Sequence, residues 1–305
     1  MSEQLPTNPL LARLGYDADA RLVIFHADDV GMCHGSNQAF VELSQFAIIQ
    51  TGSIMVPCPW ASEILRICRD NPALDVGVHL TLTSEWDSYR WGPLSTRAAK
   101  SGLLDAEGYF WPSVEEVAAH ADAAAAVAEM RAQIEFVRAW GVDFTHIDTH
   151  MGTAIAPNLI QHYVQLGLEY QTPVLLSRYL DKHTDGLEID SLGAAQWREL
   201  IQWAEGQGML LPDWFRITPR YSTEMDQPNR ADVYEEILQA LPPGVTYFSL
   251  HPNQPADIAM IAPDHAETRA FEYQYFQSAR LQAFLAAENI VPIGYRQIRD
   301  LMRES

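Results

Sequence analysis

The run Thr145-His146-Ile147-Asp148-Thr149-His150 sets three titratable side chains at alternate positions. On a strand, side chains alternate faces with period two, so His146, Asp148 and His150 point one way and Thr145, Ile147 and Thr149 the other. Two imidazoles and a carboxylate on one face make a poor core and a good metal or acid/base site. The blander reading is a hydrogen-bonded polar ladder. Other strand ends carry matching chemistry: Asp28-Asp29 after the apolar residues 22–25, His79 in Gly77-Val78-His79-Leu80, Arg178 after residues 173–177, and His251 after residues 245–250.

Two adjacent carboxylates do not both ionise cheaply in a buried pocket unless a cation or a strong donor is close. Being consecutive, Asp28 and Asp29 point in different directions, so one is able to hold a metal while the other takes a proton. A carboxylate with two imidazoles leaves positions open on a divalent ion, and water there has its pKa lowered toward about 7. Each residue also has an ordinary explanation. Asp28-Asp29 fits an N-cap and first-turn acid ahead of a helix, His79 a satisfied core histidine, His251 a turn histidine before Pro252, and Arg178 an ion-pairing residue. Cys33 lies near the first strand end without a partner base in sequence.

The elements that must position these groups follow from periodicity. β-favouring runs fall at residues 21–25, 52–56, 75–82, 145–150, 173–178, 215–218, 245–250 and 290–293. Helical patterns fall between them, at residues 37–49, 61–69, 113–140, 158–170, 192–205, 230–241 and 266–288, with a closing helix to residue 305. Ser113-Val114-Glu115-Glu116 is a capping-box start. Strands that alternate with helices about eight times, with no break in composition, predict an α/β fold. The expected form is an irregular TIM-like (β/α) barrel of seven or eight strands. It forms a single domain over residues 21–305, after an N-terminal arm at residues 1–20. In such a barrel, chemistry sits at the C-terminal ends of the strands. Residues 84–112 have no period and hold Trp86, Trp91 and Trp111, which suit either a sugar ring or packing of the loop itself.

Twenty Lys and Arg against 40 Asp and Glu, with no basic cluster, argue against nucleic acid or an anionic membrane as partner. No apolar run approaches the roughly 18 residues of a membrane span, and the first residues lack a signal-peptide pattern. Three cysteines without C-x-x-C spacing indicate neither a disulfide framework nor a zinc knuckle. A cytoplasmic location is expected, and a homodimer is the default assembly.

Four ordered motifs carry a resemblance. Ala27-Asp28-Asp29-Val30-Gly31 followed by Asn37, residues 76–83 around His79, His146-Ile147-Asp148-Thr149-His150, and Leu250-His251-Pro252 resemble the YdjC/ChbG-like carbohydrate deacetylase family in order and spacing. The matching positions span roughly residues 22 to 300. The resemblance implies an irregular TIM-like barrel that removes acetyl groups from N-acetylated sugars or oligosaccharides with one divalent ion, Mg or Zn. It implies Asp29, His79 and His150 as metal ligands and Asp28 as the base. His251 would be the acid for the leaving amine and Arg178 a helper for base or substrate, while His146 or Asp148 would orient a ligand imidazole. The sequence departs from the family pattern at His26, where Asn is usual, at Val30, where Phe is usual, and at Met151-Gly152, where further histidines often follow.

The leading expectation is therefore amide hydrolysis, with a metal-activated water attacking the acetamide carbonyl. A metal-dependent hydrolase of another ester or amide, or of a phosphoester, is the second reading, the last disfavoured by the scarcity of basic residues near the motifs. A non-catalytic sugar-binding protein on the same scaffold is the third.

Overall fold

The computed structural model describes residues 7–181, 193–218, 230–255 and 257–304. Seven parallel strands form its centre: β1 (Arg21–Val30), β2 (Ile49–Ile54), β3 (Asp75–Leu80), β4 (Ile147–Thr149), β5 (Trp214–Ile217), β6 (Gly244–Leu250) and β7 (Ile290–Pro292). The hydrogen-bonded path runs β4-β3-β2-β1-β6-β5, with β7 pairing β1 off that path. β1 is long enough to serve two partners on one edge. Its first residues, Arg21 to Val23, pair with β7, and from Phe25 onward it pairs with β2. The sheet curls into a half-barrel of six strands, so the expected α/β class with parallel strands is present in this coarser form. Residues 173–178, read as a strand, make only an isolated parallel bridge, Val174 to Ile147.

The strands are apolar on both sides because helices cover the outside and side chains fill the inside. All of β6 and β3 is buried, and Val23, Ile24, Phe25, Ile54, Val78, Phe248 and Leu250 are core residues. What breaks the pattern is polar and faces inward: His26, Ser53, His79, His146, Asp148 and Ser249 are all buried.

Several helix ends differ from the sequence reading. The first crossover helix is His34–Leu43, and Ile49 belongs to β2 rather than to the helix, because Ala47 adopts a left-handed φ of 58°. The long Ala-rich segment is two helices, Val114–His120 and Ala123–Ala139, the second starting where the Asp122 side chain accepts from Ala125 N–H. Ser113 caps the first by accepting from Glu116 N–H, as the sequence motif predicts. The helical stretch at residues 266–288 likewise divides into Pro263–Tyr275 and Ala279–Ala287, with Ser278 capping the second. In the N-terminal arm, Leu10 of the short helix Leu10–Arg13 is fully buried, while residues 1–6 lie outside the described residues.

The loop at residues 84–112 is pinned from beneath. Buried Glu129 accepts from the N–H groups of Leu94 and Ser95, and Gln133 exchanges two hydrogen bonds with the backbone of Thr81. Trp91 donates to Thr83 O and Trp111 to Gly102 O, so these two rings pack the loop down.

At Gly77 on β3 the inner packing leaves no room for a side chain: a Cβ there falls on the His146 ring. Gly77→Ala is predicted to cost about 1–3 kcal/mol by overpacking. Urea unfolding measures this, and an unchanged midpoint contradicts it.

Candidate active site

The end of β1 turns both aspartates inward by a local irregularity. The β1–β2 register shifts between Ala27 and Val30, and Asp29 takes a left-handed φ of 59°, rare for a residue with a side chain. Gly31 follows at φ 92°, its N–H held by the Asn37 side chain at 2.7 Å. Asn37 Nδ2 in turn donates to Trp60 O and Glu63. The N-cap of the next helix is Cys33, not Asp28 or Asp29, so the capping explanation of the aspartate pair fails.

Asp29 lies at the centre of one cluster. Its Oδ1 is 3.1 Å from His150 Nδ1 and 3.5 Å from His79 Nε2, and its Oδ2 is 2.7 Å from Arg269. Although buried, neither oxygen has an aligned hydrogen-bond donor. Each ring is held by a carboxylate on its far side. His79 Nδ1 faces Asp148 Oδ1 at 2.9 Å and Ser53 Oγ at 3.0 Å, while His150 Nε2 faces Glu85 at 3.0 Å. That is how metal-ligating imidazoles are commonly oriented. One atom from each of Asp29, His79 and His150 lies within 4.8 Å of the others, a spacing suited to ligands about 2.0–2.2 Å from one small divalent ion. Oδ1 of Asp29 and the two aimed nitrogens therefore fit a divalent cation.

Asp28 lies at the centre of a second, hydrogen-bonded cluster. His26 Nδ1 is 2.5 Å from its Oδ1, Tyr247 donates to Oδ1 at 3.0 Å, and Ser249 donates to Oδ2 at 2.6 Å. His251 Nε2 is 3.8 Å from Oδ2, with its ring a quarter exposed. Its backbone N–H is held by buried Glu272, which also accepts from Thr218 and Tyr234. His26, His146 and Asp148 also converge, but the 2.7 Å between the two Nε2 atoms is a hydrogen-bond distance, too short for two ligands of one ion. Asp148 Oδ2 already accepts from Ser53, and the Tyr247 hydroxyl that donates to Asp28 lies 3.2 Å from it.

The structure thus brings Asp28, Asp29, His79, His146, Asp148, His150 and His251 together. His146 and Asp148 face inward as the alternation requires. His150 lies just past the strand, in a turn where Met151 has φ 52° and Gly152 φ 73°. Arg178 is not brought to them. Its guanidinium pairs with Glu205 at 2.6 Å and Asp213 at 3.2 Å, and it lines a cavity of about 640 Å³ with Gly244. Gly244 pairs with Arg21 at the start of β1, seven residues and roughly 20 Å before Asp28. Sequence reasoning missed Arg269, Glu85, Tyr247, Ser249, Ser53 and Glu272. Cys33 is buried and accepts from Asn253 Nδ2; burial pushes its thiol up, away from nucleophilic form.

Electrostatics follow the pairing. Burial pushes Asp29 up, but Arg269, His150 and His79 outweigh it and hold it well below the usual carboxylate range. Burial likewise raises Asp28, and His26, then His251 and His79, bring it below its ordinary value. Burial lowers His79, but Asp148 and Asp29 lift it well above its ordinary value. Burial lowers His150 too, and Glu85 and Asp29 overcome it, pushing the ring up to about 9. His146 goes the other way, well down, through burial and neighbouring His26.

Residues 22–287 match the family model described as YdjC-like protein. The chain belongs to the YdjC-like family. Among its relatives is a carbohydrate deacetylase of Thermus thermophilus, 30% identical over 293 residues that cover 96% of this chain and 99% of that protein. Another is a chitooligosaccharide deacetylase of Yersinia enterocolitica, 28% identical over 58% of this chain and 67% of the relative. A crystal structure from Enterococcus faecalis, of a protein described as a putative cellobiose-phosphate cleavage protein, superposes with a TM-score of 0.71 at 19% identity, covering 92% of this chain and 99% of that one. At that identity the likeness shows the fold alone. No helix among the described residues is long and apolar enough to cross a membrane.

Two predictions follow from pairing. His150 is raised in the folded protein, so its contribution is full below the ordinary value of about 6.5 and is lost as pH rises through about 9. Metal-free protein is predicted to lose stability across that window, at up to about 1.4 kcal/mol per pH unit, and Glu85→Gln to shrink the loss. Urea unfolding at several pH values reads both, and a flat profile in the wild type contradicts the pairing. Arg178→Met, which leaves buried Asp213 only the neutral donors Asn8 Nδ2 and Val245 N–H, is predicted to cost about 3–5 kcal/mol while leaving turnover per folded molecule intact. A selective loss of turnover would place Arg178 in the chemistry instead.

Proposed function

We propose that the protein is a metal-dependent carbohydrate deacetylase: a hydrolase that removes acetyl groups from N-acetylated sugars or oligosaccharides with one divalent ion, Mg or Zn, on Asp29, His79 and His150. The observation that carries this reading is a buried carboxylate without aligned donors, faced by two carboxylate-backed imidazoles and adjoining a second carboxylate at the mouth. The substrate class is suggested by the names of the Thermus and Yersinia relatives. When bound, the ion supplies Lewis acidity, acidifying water and polarising a carbonyl oxygen.

The chain's own residues do the rest. Asp28 is the general base. His26 and Tyr247 occupy its Oδ1, and Ser249 takes one side of Oδ2, which leaves a lone pair there to accept a proton from the attacking water. His251, near the same oxygen and partly exposed, is placed to protonate the leaving amine. Asp148 and Glu85 fix the rings of His79 and His150, and Arg269 holds the far oxygen of Asp29 so that Oδ1 turns to the imidazoles. Trp86 is half-buried and packs edge-on to His265 at 5.5 Å, and its ring suits the face of a pyranose. The scaffold is an irregular (β/α) barrel in which residues 173–179 bond to β4 on one side and to residues 212–213 on the other.

Asp29→Asn is predicted to abolish both metal retention and deacetylation of an N-acetylated sugar. Asp28→Asn is predicted to keep the metal while kcat falls about 10²–10⁴-fold, the usual worth of a general base. Elemental analysis and acetate release read the two effects, and full turnover in metal-free Asp29→Asn would sink the assignment.

A further inference from the structure

Behind Asp28 the inward polar side chains form a single line. Asp28 Oδ1 is 2.5 Å from His26 Nδ1, and His26 Nε2 is 2.7 Å from His146 Nε2. His146 Nδ1 is 3.0 Å from the Thr145 hydroxyl, which is 2.5 Å from Asp75 Oδ1. The line therefore runs from the end of β1 to the start of β3, through side chains that are buried except for Asp28, which is 11% exposed. Each of its four links needs one hydrogen between two facing lone pairs. Ionised carboxylates at both ends supply none. Two neutral imidazoles and one hydroxyl supply three. With no further proton, one link would set two lone pairs face to face in a buried line, leaving a hydrogen bond unmade at a cost of about 1–3 kcal/mol. The line carries a fourth proton.

Its position follows from the neighbours. Thr145 O–H donates to Asp75, a carboxylate oxygen at 2.5 Å, rather than to the other acceptor in reach, Val76 O at 3.3 Å. Thr145 Oγ then accepts from His146 Nδ1–H, and neutral His146 offers the Nε2 lone pair into which His26 donates. His26 Nδ1 must also carry a hydrogen, toward Asp28. The groups facing the His26 ring are Asp28 on its own strand, His146 and Asp148 Oδ2 (at 3.7 Å) at β4, Tyr247 stacked at 4.8 Å on β6, and the edge of Tyr295 beyond β7. Two of these are carboxylates and none is a lysine or arginine.

We propose that His26 is a buried imidazolium, held in that state by Asp75 and Thr145 acting through neutral His146, and that it is a positioning residue that locks Oδ1 of Asp28 and leaves Oδ2 for the reaction. The part played at Asp28 rests on the reading of that residue as the base; the proton count does not. Asp75 is the competing address, since burial raises its carboxyl. With the proton on Asp75, every link reverses its polarity up to His26, and the two rings hold two hydrogens instead of three.

The test is nitrogen NMR of ¹⁵N-histidine-labelled full-length protein without substrate, with the two rings assigned by signals lost in His26→Asn and His146→Asn. Three of the four ring nitrogens are expected to be protonated in the wild type. Thr145→Val removes the acceptor for His146 Nδ1–H and is expected to lower the count to two, while Thr145→Ser restores three. Asp75→Asn, whose amide donates to Thr145, is a second route to two. A wild-type count of two, or a count of three that survives both Thr145→Val and Asp75→Asn, overturns the proposal. The same variants assayed for acetate release test the positioning role. Thr145→Val should lose tenfold or more in kcat with KM and metal content unchanged, and Thr145→Ser should recover it; equal kcat in both overturns that role. An inactive wild type with three ring protons would refute the deacetylase reading and, with it, the positioning role, while leaving the charge assignment of His26 standing.

Discussion

A buried carboxylate must be met by positive charge or by donors, and at Asp29 that requirement organises the interior of the sheet. Arg269 comes from the helix Pro263–Tyr275 after β6, His79 from β3, and His150 from the turn after β4. Each of these cations is itself buried or nearly so, and two of them need further carboxylates behind them, Asp148 and Glu85. The result is a shell of alternating charge around Asp29. A strained φ at Asp29 is tolerated because so many partners fix its side chain. The facing carboxylates raise both rings, while Arg269 and the two rings lower Asp29.

The shell also explains why the site has two layers. Asp29 faces imidazoles whose protons a metal can displace, whereas Asp28 faces donors that are satisfied in place: His26, Tyr247 and Ser249. One aspartate is prepared for a cation and its neighbour for a proton. The register shift in β1 makes the division possible, because it allows consecutive side chains to enter the same interior from different angles. Asp148 serves both layers, holding His79 with one oxygen and accepting from Ser53 with the other, which also lies 3.2 Å from the Tyr247 hydroxyl.

Much of this was legible in the sequence. Strand periodicity placed β1, β3, β5 and β6 within a few residues, and the His-x-Asp spacing put His146 and Asp148 on the inner face because a pleated strand leaves no alternative. The errors fell where local patterns run out. The long helices at residues 113–140 and 266–288 were read through Asp122 and Ser278, polar residues that cap a new helix instead of continuing the old one. Arg178 had the right place in a strand-like run, but its backbone bonds to residue 212, at the start of the sheet rather than its end. Arg269 and Glu85 lie in a helix and a loop where nothing local marks them, and only the fold carries them to Asp29 and His150. Tyr247 and Ser249 were in view as alternate residues of β6, the same inward phase as His251, and that periodicity was the one signal that could have found them.

The most direct test of the account is acetate release from N-acetylated chitooligosaccharides by protein stripped of metal with a chelator, before and after one equivalent of Mg or Zn is returned. The account predicts no turnover in the stripped protein and recovery on return of the ion, with recovery absent in His150→Ala. Turnover that is undiminished by stripping and indifferent to the returned ion would contradict it.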